Sequence, residues 1–128
     1  MKLLLDTHYL LWAANEPARL PKAVRDLVDD RKNEVLFSAA SIWEVAIKNS
    51  RGKQDFRADA SVLRRALLDT GYTELPITSE HAVTSEHLPP IHKDPFDRML
   101  VAQAEYEGVT LLTNDRKLAE YPGPIRRV

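Results

Sequence analysis

The sequence contains no cysteine. That absence removes disulfide frameworks, thiol nucleophiles and Cys-based zinc sites together, and it fits a reducing compartment. Glycine is scarce, four residues in 128, and neither a low-complexity tract nor an internal repeat is present. No apolar run approaches the ~20 residues of a membrane span. The opening MKLLLD meets a charge at Asp6, too early for a signal-peptide core. The expected setting is the cytoplasm, with no membrane association. An excess of either charge is also missing, because 18 Lys and Arg stand against 19 Asp and Glu. A general basic field of the kind that coats nucleic acid is therefore excluded, and RNA or DNA would have to bind in a local groove.

What remains is an ordinary globular composition, 44% hydrophobic and 29% charged. A chain of this length buries roughly two-thirds of its unfolded surface, enough for a core without staples. No composition shift or linker divides it, so one domain over residues 1–128 is expected.

Hydrophobic patterning gives the elements. Lys2–Asp6 (KLLLD), Glu34–Phe37 (EVLF) and Val109–Thr113 (VTLLT) are short unbroken apolar runs, the signature of strands buried on both faces. TELPI adds a short strand, and IRRV a weak edge strand. Between them lie helical patterns: THYLLWAA, then LPKAVRDLVDDRKN with a proline near its start, then SAASIWEVAIKNSRG. The last carries Ile42, Val45, Ala46 and Asn49 along one stripe, with Gly52 as its C-terminal cap. DASVLRRALLDTG is an Asp-capped helix closed by Gly71, TSEHAVTSEHL a modest one, and the helix after the proline-bearing loop PPIHKD stops at Gly108. Alternating strands and helices predict an α/β fold with a mainly parallel sheet.

Four carboxylates occupy informative places in this plan. Asp6 ends the first strand, and Asp115 lies just beyond the VTLLT strand. Parallel strands end at one edge of the sheet, where ligands bind in the crevice beyond their carboxyl ends. Each also has a purely local reading, as the N-cap of the following helix or turn. Glu44 fits a capping box with Ser41, or an ion pair with Lys48 one turn on. If the helix begins near Ser38, however, Glu44 is interior and its side chain lies away from the Ile42–Ala46–Asn49 face, free to point into a polar cleft. In HKDPFDRMLVAQA, Asp94 is the expected N-cap, Pro95 the first helical residue and Asp97 the third. This helix is apolar on nearly every side and should be buried, so Asp97 carries its charge inward. Capping explains Asp94 well and Asp97 only partly.

Gathering such acids without a partner costs several kcal/mol per buried anion, because each loses water and repels its neighbours. A divalent cation resolves the conflict. Oxygen-only donors suit Mg2+ or Mn2+, which keeps waters and leaves room for a substrate phosphate. Such a site performs phosphoryl chemistry.

The ordered set Asp6, Glu44, Asp97 and Asp115, carried in LLLDTHYLLW, SIWEVAIK, HKDPFDRMLVAQA and LLTND, resembles the PIN-domain ribonucleases. More narrowly it is similar to the VapC-type toxins of bacterial toxin–antitoxin pairs, over essentially the whole chain from Lys2 onward. The resemblance implies a three-layer α/β/α sandwich and a Mg2+- or Mn2+-dependent endoribonuclease acting on RNA. It also implies a cognate VapB-type antitoxin that blocks the site, and a homodimer as a common state. Carried over by residue, Asp6 and Asp97 are the main metal ligands, with Glu44 and Asp115 completing the catalytic pocket through waters or a second ion. Thr113 or Asn114 would orient water or phosphate. The alternative is a PIN-like module that binds RNA or protein without turnover.

Other residues attract weaker readings. His8, His81, His87 and His92 show no metal spacing and are expected on the surface or in loops. Trp12 and Trp43 lie within apolar runs and are expected in the core. Among the cations, Lys48 and Arg98 sit beside motif acids and are candidates for RNA phosphate. Arg51, Lys53, Arg64, Arg65, Arg116, Lys117, Arg126 and Arg127 are better read as solvated or dipole-complementing charges.

Overall fold

A computed structural model describes residues 1–50 and 59–128. The expected cap at Gly52 and the cations Arg51 and Lys53 lie outside the described residues.

The apolar runs form strands as expected: β1 (Lys2–Leu5), β2 (Glu34–Ser38), β3 (Thr73–Leu75), β4 (Thr110–Thr113) and β5 (Ile125–Arg127). They pair in the order β3-β2-β1-β4-β5, and every pairing is parallel. The order reverses at β1, which has β2 on one side and β4 on the other. At that point the crossovers leave towards opposite faces, opening a crevice beyond the strand ends.

The helices are α1 (Thr7–Asn15), α2 (Lys22–Asp29), α3 (Ala39–Ser50), α4 (Ala60–Thr70), α5 (Ser79–Glu86), α6 (Pro95–Glu107) and α7 (Arg116–Ala119). Side chains alternate across the sheet and divide the core in two. Leu3, Leu5, Val35, Phe37 and Leu112 point to one face, where Tyr9, Leu10, Val24, Val45, Leu63 and Leu67 of α1–α4 cover them. Leu4, Leu36 and Leu111 point to the other, beneath Leu100, Val101, Ala102 and Ala104 of α6. The result is a three-layer α/β/α sandwich, with both faces of the central strands dry.

Helix ends follow local chemistry. Asp6, Asp59, Asp94 and Asp115 each accept hydrogen bonds from backbone N–H groups of the turn they precede. Gly108 ends α6 at φ 69°, a left-handed conformation that glycine adopts without the Cβ penalty.

Of the expected stripe in α3, Val45 is buried and Ile42 packs against the core, while Ala46 is exposed and Ala40, Ser41 and Glu44 are buried beside Val45. The helix begins at Ala39, so Ser41 and Glu44 are interior and no capping box forms. Thr7 Oγ1 donates to Glu44 Oε1 at 2.7 Å and lies 2.9 Å from Ser41 Oγ, so the polar face is satisfied inside the protein. Trp43 is consequently turned outward, 58% exposed, and is not a core residue. Trp12 is half-buried, packed against the core with Arg19 4.7 Å above its ring.

Candidate active site

The crevice at the sheet reversal contains a cavity of about 270 Å³ lined by Asp6, Thr7, His8, Glu44, Lys48, Asp94, Asp97, Asn114, Asp115 and Leu118. All four acids singled out from the sequence reach it, from the end of β1, from α3, from the first turn of α6 and from the turn after β4.

Asp6 and Asp115 each use one oxygen as a helix cap and turn the other elsewhere. Asp6 Oδ1 accepts from the Tyr9 N–H at 3.1 Å, which is the cap, while Oδ2 accepts from the Thr113 hydroxyl at 2.6 Å. Asp115 Oδ1 accepts from Lys117 and Leu118 N–H at 2.8 and 3.3 Å, while Oδ2 faces His92 Nε2 at 3.5 Å. Each carboxylate is thus oriented by its helix and presents its second oxygen elsewhere. Asp97 caps nothing. The cap is Asp94, whose Oδ1 accepts from Phe96 and Asp97 N–H at 2.8 and 3.3 Å. Asp97 Oδ2 lies 3.3 Å from His92 Nε2.

Supporting side chains hold this arrangement. Thr113 is fully buried; its hydroxyl donates to Asp6 and accepts from the Asp115 N–H at 3.0 Å, tying two acids together. With its proton committed to Asp6, Thr113 orients carboxylates rather than water, whereas Asn114 is exposed at the rim. Glu44 has both oxygens engaged, by Thr7 and by Lys48 Nζ at 2.6 Å. Among the described residues, the donor atoms that come within 4.8 Å of one another belong to His92, Asp97 and Asp115; Asp6 and Glu44 line the same cavity outside that group.

The electrostatics are those of a crowded carboxylate cluster in which Lys48 pairs with Glu44. Burial first, then the charges of Asp94, Glu44, Asp115 and Asp6, push the Asp97 carboxyl up to about 7. Burial also raises the Asp6 carboxyl, against the lowering effect of its Thr113 and Tyr9 hydrogen bonds. Carboxylates held this way favour a cation, and oxygen donors without cysteine fit a hard divalent ion. The residues present are therefore compatible with Mg2+ or Mn2+.

A PIN domain model matches residues 3–124. The chain belongs to the PIN domain family. Among relatives of this PIN domain, Ribonuclease VapC22 of Mycobacterium tuberculosis is 29% identical over 123 residues, covering 95% of this chain and 93% of its own. Solved structures share the fold. VapBC2 from Rickettsia felis, bound to a DNA fragment from its promoter, superposes with a TM-score of 0.75 at 17% identity, covering 100% of this chain and 99% of that one. VapBC-5 from Mycobacterium tuberculosis does so with a TM-score of 0.61 at 17% identity, over 99% and 98%.

Two expectations about residues of this PIN domain need correction, those for His81 and Arg98. His92 lies in a loop as expected, but its Nε2 comes within 3.5 Å of two of the acids. A histidine two residues before a helix-capping aspartate was a local signal, but loop conformation carries no periodicity to reveal it. His81 is fully buried, accepting from the Thr78 N–H at 3.0 Å and pairing with Glu107 at 2.7 Å, in a capping box where glutamate is usual. Arg98, expected as readily on RNA as on the protein, is spent internally on the carbonyls of Ser85 and Pro89 and the hydroxyl of Tyr121. Among the described residues, no helix is long and apolar enough to cross a membrane.

Proposed function

We propose that this PIN domain, a single unit over residues 1–128, is a Mg2+- or Mn2+-dependent endoribonuclease of the VapC type that hydrolyses RNA phosphodiester bonds. The observation that carries the reading is the cavity at the sheet reversal, where Asp6, Glu44, Asp97 and Asp115 meet and Asp97 is pushed up to about 7. The similarity to Ribonuclease VapC22 over 95% of the chain supports the activity.

Asp6, Asp97 and Asp115 would hold the ion, with Glu44, paired with Lys48 Nζ at 2.6 Å, completing the pocket through water. When bound, the divalent ion polarises the scissile phosphate and makes an attacking water more acidic. The protein supplies the rest. Asp97, whose anion is disfavoured by burial and by its neighbouring carboxylates, would hold the ion as the carboxylate. Thr113 and the Tyr9 N–H fix Asp6 in one rotamer, and the α7 N–H groups fix Asp115, so no reorganisation is needed at the moment of reaction. Lys48, seated on Glu44 and lining the cavity, offers a positive group to an incoming phosphate.

The structural neighbours include VapBC toxin–antitoxin proteins, which supports a VapB-type antitoxin as the partner; a homodimer is the assembly that the VapC resemblance implies. The reading is tested by incubating antitoxin-free protein with tRNA, rRNA and mRNA, with metal or with chelator. Cleavage that requires metal is expected, while RNA retention without cleavage would favour the binding-module alternative.

A further inference from the structure

His92 has no part in the chemistry so far, yet hydrogen bonds involving Asp94, Arg98 and the buried Tyr121 fix it and its loop. Its side chain is 18% exposed, in the loop that leads into α6. Nδ1 accepts a hydrogen bond from the Asp94 N–H at 3.1 Å. A ring nitrogen that accepts from an amide carries no proton, so in the neutral imidazole the proton resides on Nε2. That nitrogen lies 3.3 Å from Asp97 Oδ2 and 3.5 Å from Asp115 Oδ2. The ring therefore brings its protonated nitrogen, not a lone pair, to ion-pair distance of the two carboxylates. Although Nε2 is near enough to share an ion with them, ligation would need the proton moved to Nδ1 and the Asp94 hydrogen bond broken.

The loop is held so that the ring stays in this pose. The His92 backbone N–H donates to the Tyr121 hydroxyl at 2.8 Å, and Tyr121 is buried. Arg98 donates to the same hydroxyl at 3.1 Å, to Pro89 O at 3.0 Å and to Ser85 O at 2.8 Å. One guanidinium thus ties the end of α5, the proline loop and Tyr121 together around His92.

We propose that His92 is a positioning residue: its Nε2–H holds the Asp97 and Asp115 carboxylates in the orientation that receives a divalent cation, without itself ligating that cation. The inference rests on the metal reading above. It places His92 in the role of an outer donor that orients ligands, a contribution whose removal costs roughly 10–100-fold in metal affinity.

Mn2+ affinity of the full chain, followed by electron paramagnetic resonance, together with thermal unfolding in chelator, separates the possibilities. Glutamine reaches about as far as Nε2 and can present an N–H, whereas asparagine reaches only as far as Nδ1. His92→Ala and His92→Asn are expected to bind Mn2+ roughly 10–100-fold more weakly, and His92→Gln within about threefold of wild type. Pulsed spectra of the wild type should show no directly coordinated nitrogen that disappears in His92→Gln. Such a nitrogen would make His92 a ligand and overturn the proposal. So would unchanged Mn2+ affinity in His92→Ala, accompanied only by a lower melting temperature, because the ring would then be merely structural. Wild type that binds no Mn2+ would overturn the metal reading itself, and this inference with it; wild type that binds normally beside an unaffected His92→Ala overturns this inference alone.

Discussion

Asp97→Asn should stabilise the metal-free protein while abolishing its chemistry. The folded carboxyl titrates at about 7 against an ordinary value of 3.8, because burial and four neighbouring carboxylates disfavour its charge. Below 3.8 both the folded and unfolded states carry the proton, and Asp97 contributes nothing to the pH dependence. As pH rises, the unfolded chain releases its proton first, so the native state loses stability until the folded group also ionises near 7. The full loss is equivalent to roughly 4 kcal/mol, a ceiling that relaxation around the side chain reduces to about 2–4 kcal/mol. Asparagine keeps the shape and has no charge to lose. In chelator at about pH 8 the variant should melt some 8–15 °C above wild type, and at about pH 5 the gap should shrink to less than half. Divalent metal should then raise the wild type and leave the variant nearly unmoved. Thermal unfolding in chelator across this range is the assay. A variant less stable than wild type at the higher pH, or a gap that fails to widen as pH rises, would refute the argument that burial and neighbouring carboxylates disfavour the Asp97 anion.

Other perturbations read different parts of the site. Thr113→Val removes the hydroxyl that bonds Asp6 and the acceptor for the Asp115 N–H; it should cost about 1–3 kcal/mol by urea unfolding and weaken Mn2+ binding about tenfold. Lys48→Met leaves the buried Glu44 carboxylate with Thr7 alone; a loss of about 1–3 kcal/mol is expected, with a raised KM for RNA if the ammonium also meets phosphate. Gly108→Ala meets no steric obstacle but forces a side chain into the left-handed region. It should lower stability by about 1 kcal/mol and leave cleavage intact, since α6 is anchored at its other end by Asp94.

The fold was largely legible because its central strands are buried on both faces and write themselves as unbroken runs such as Leu3–Leu5 and Leu111–Leu112. The four acids were legible because strand ends and helix starts are marked by the same residues that aim them. The capping reading of Asp6 and Asp115 was correct as far as it went, one oxygen each. What escaped depends on tertiary hydrogen bonds. Helix α3 buries Ser41 and Glu44 through Thr7, a partner 34 and 37 residues away, and so turns Trp43 to solvent against its apolar context. His92 escaped for a similar reason, since its ring is fixed by the Asp94 N–H and its loop by Tyr121, a contact spanning 29 residues.

The cleavage rate of one defined RNA, titrated with Mg2+ and compared between wild type and Asp97→Asn, tests the central claim most directly. The account predicts saturable dependence on Mg2+, loss in chelator, recovery on adding Mn2+, and a variant slower by at least about 100-fold although folded and more stable. Cleavage that persists in chelator, or that survives Asp97→Asn, would contradict it.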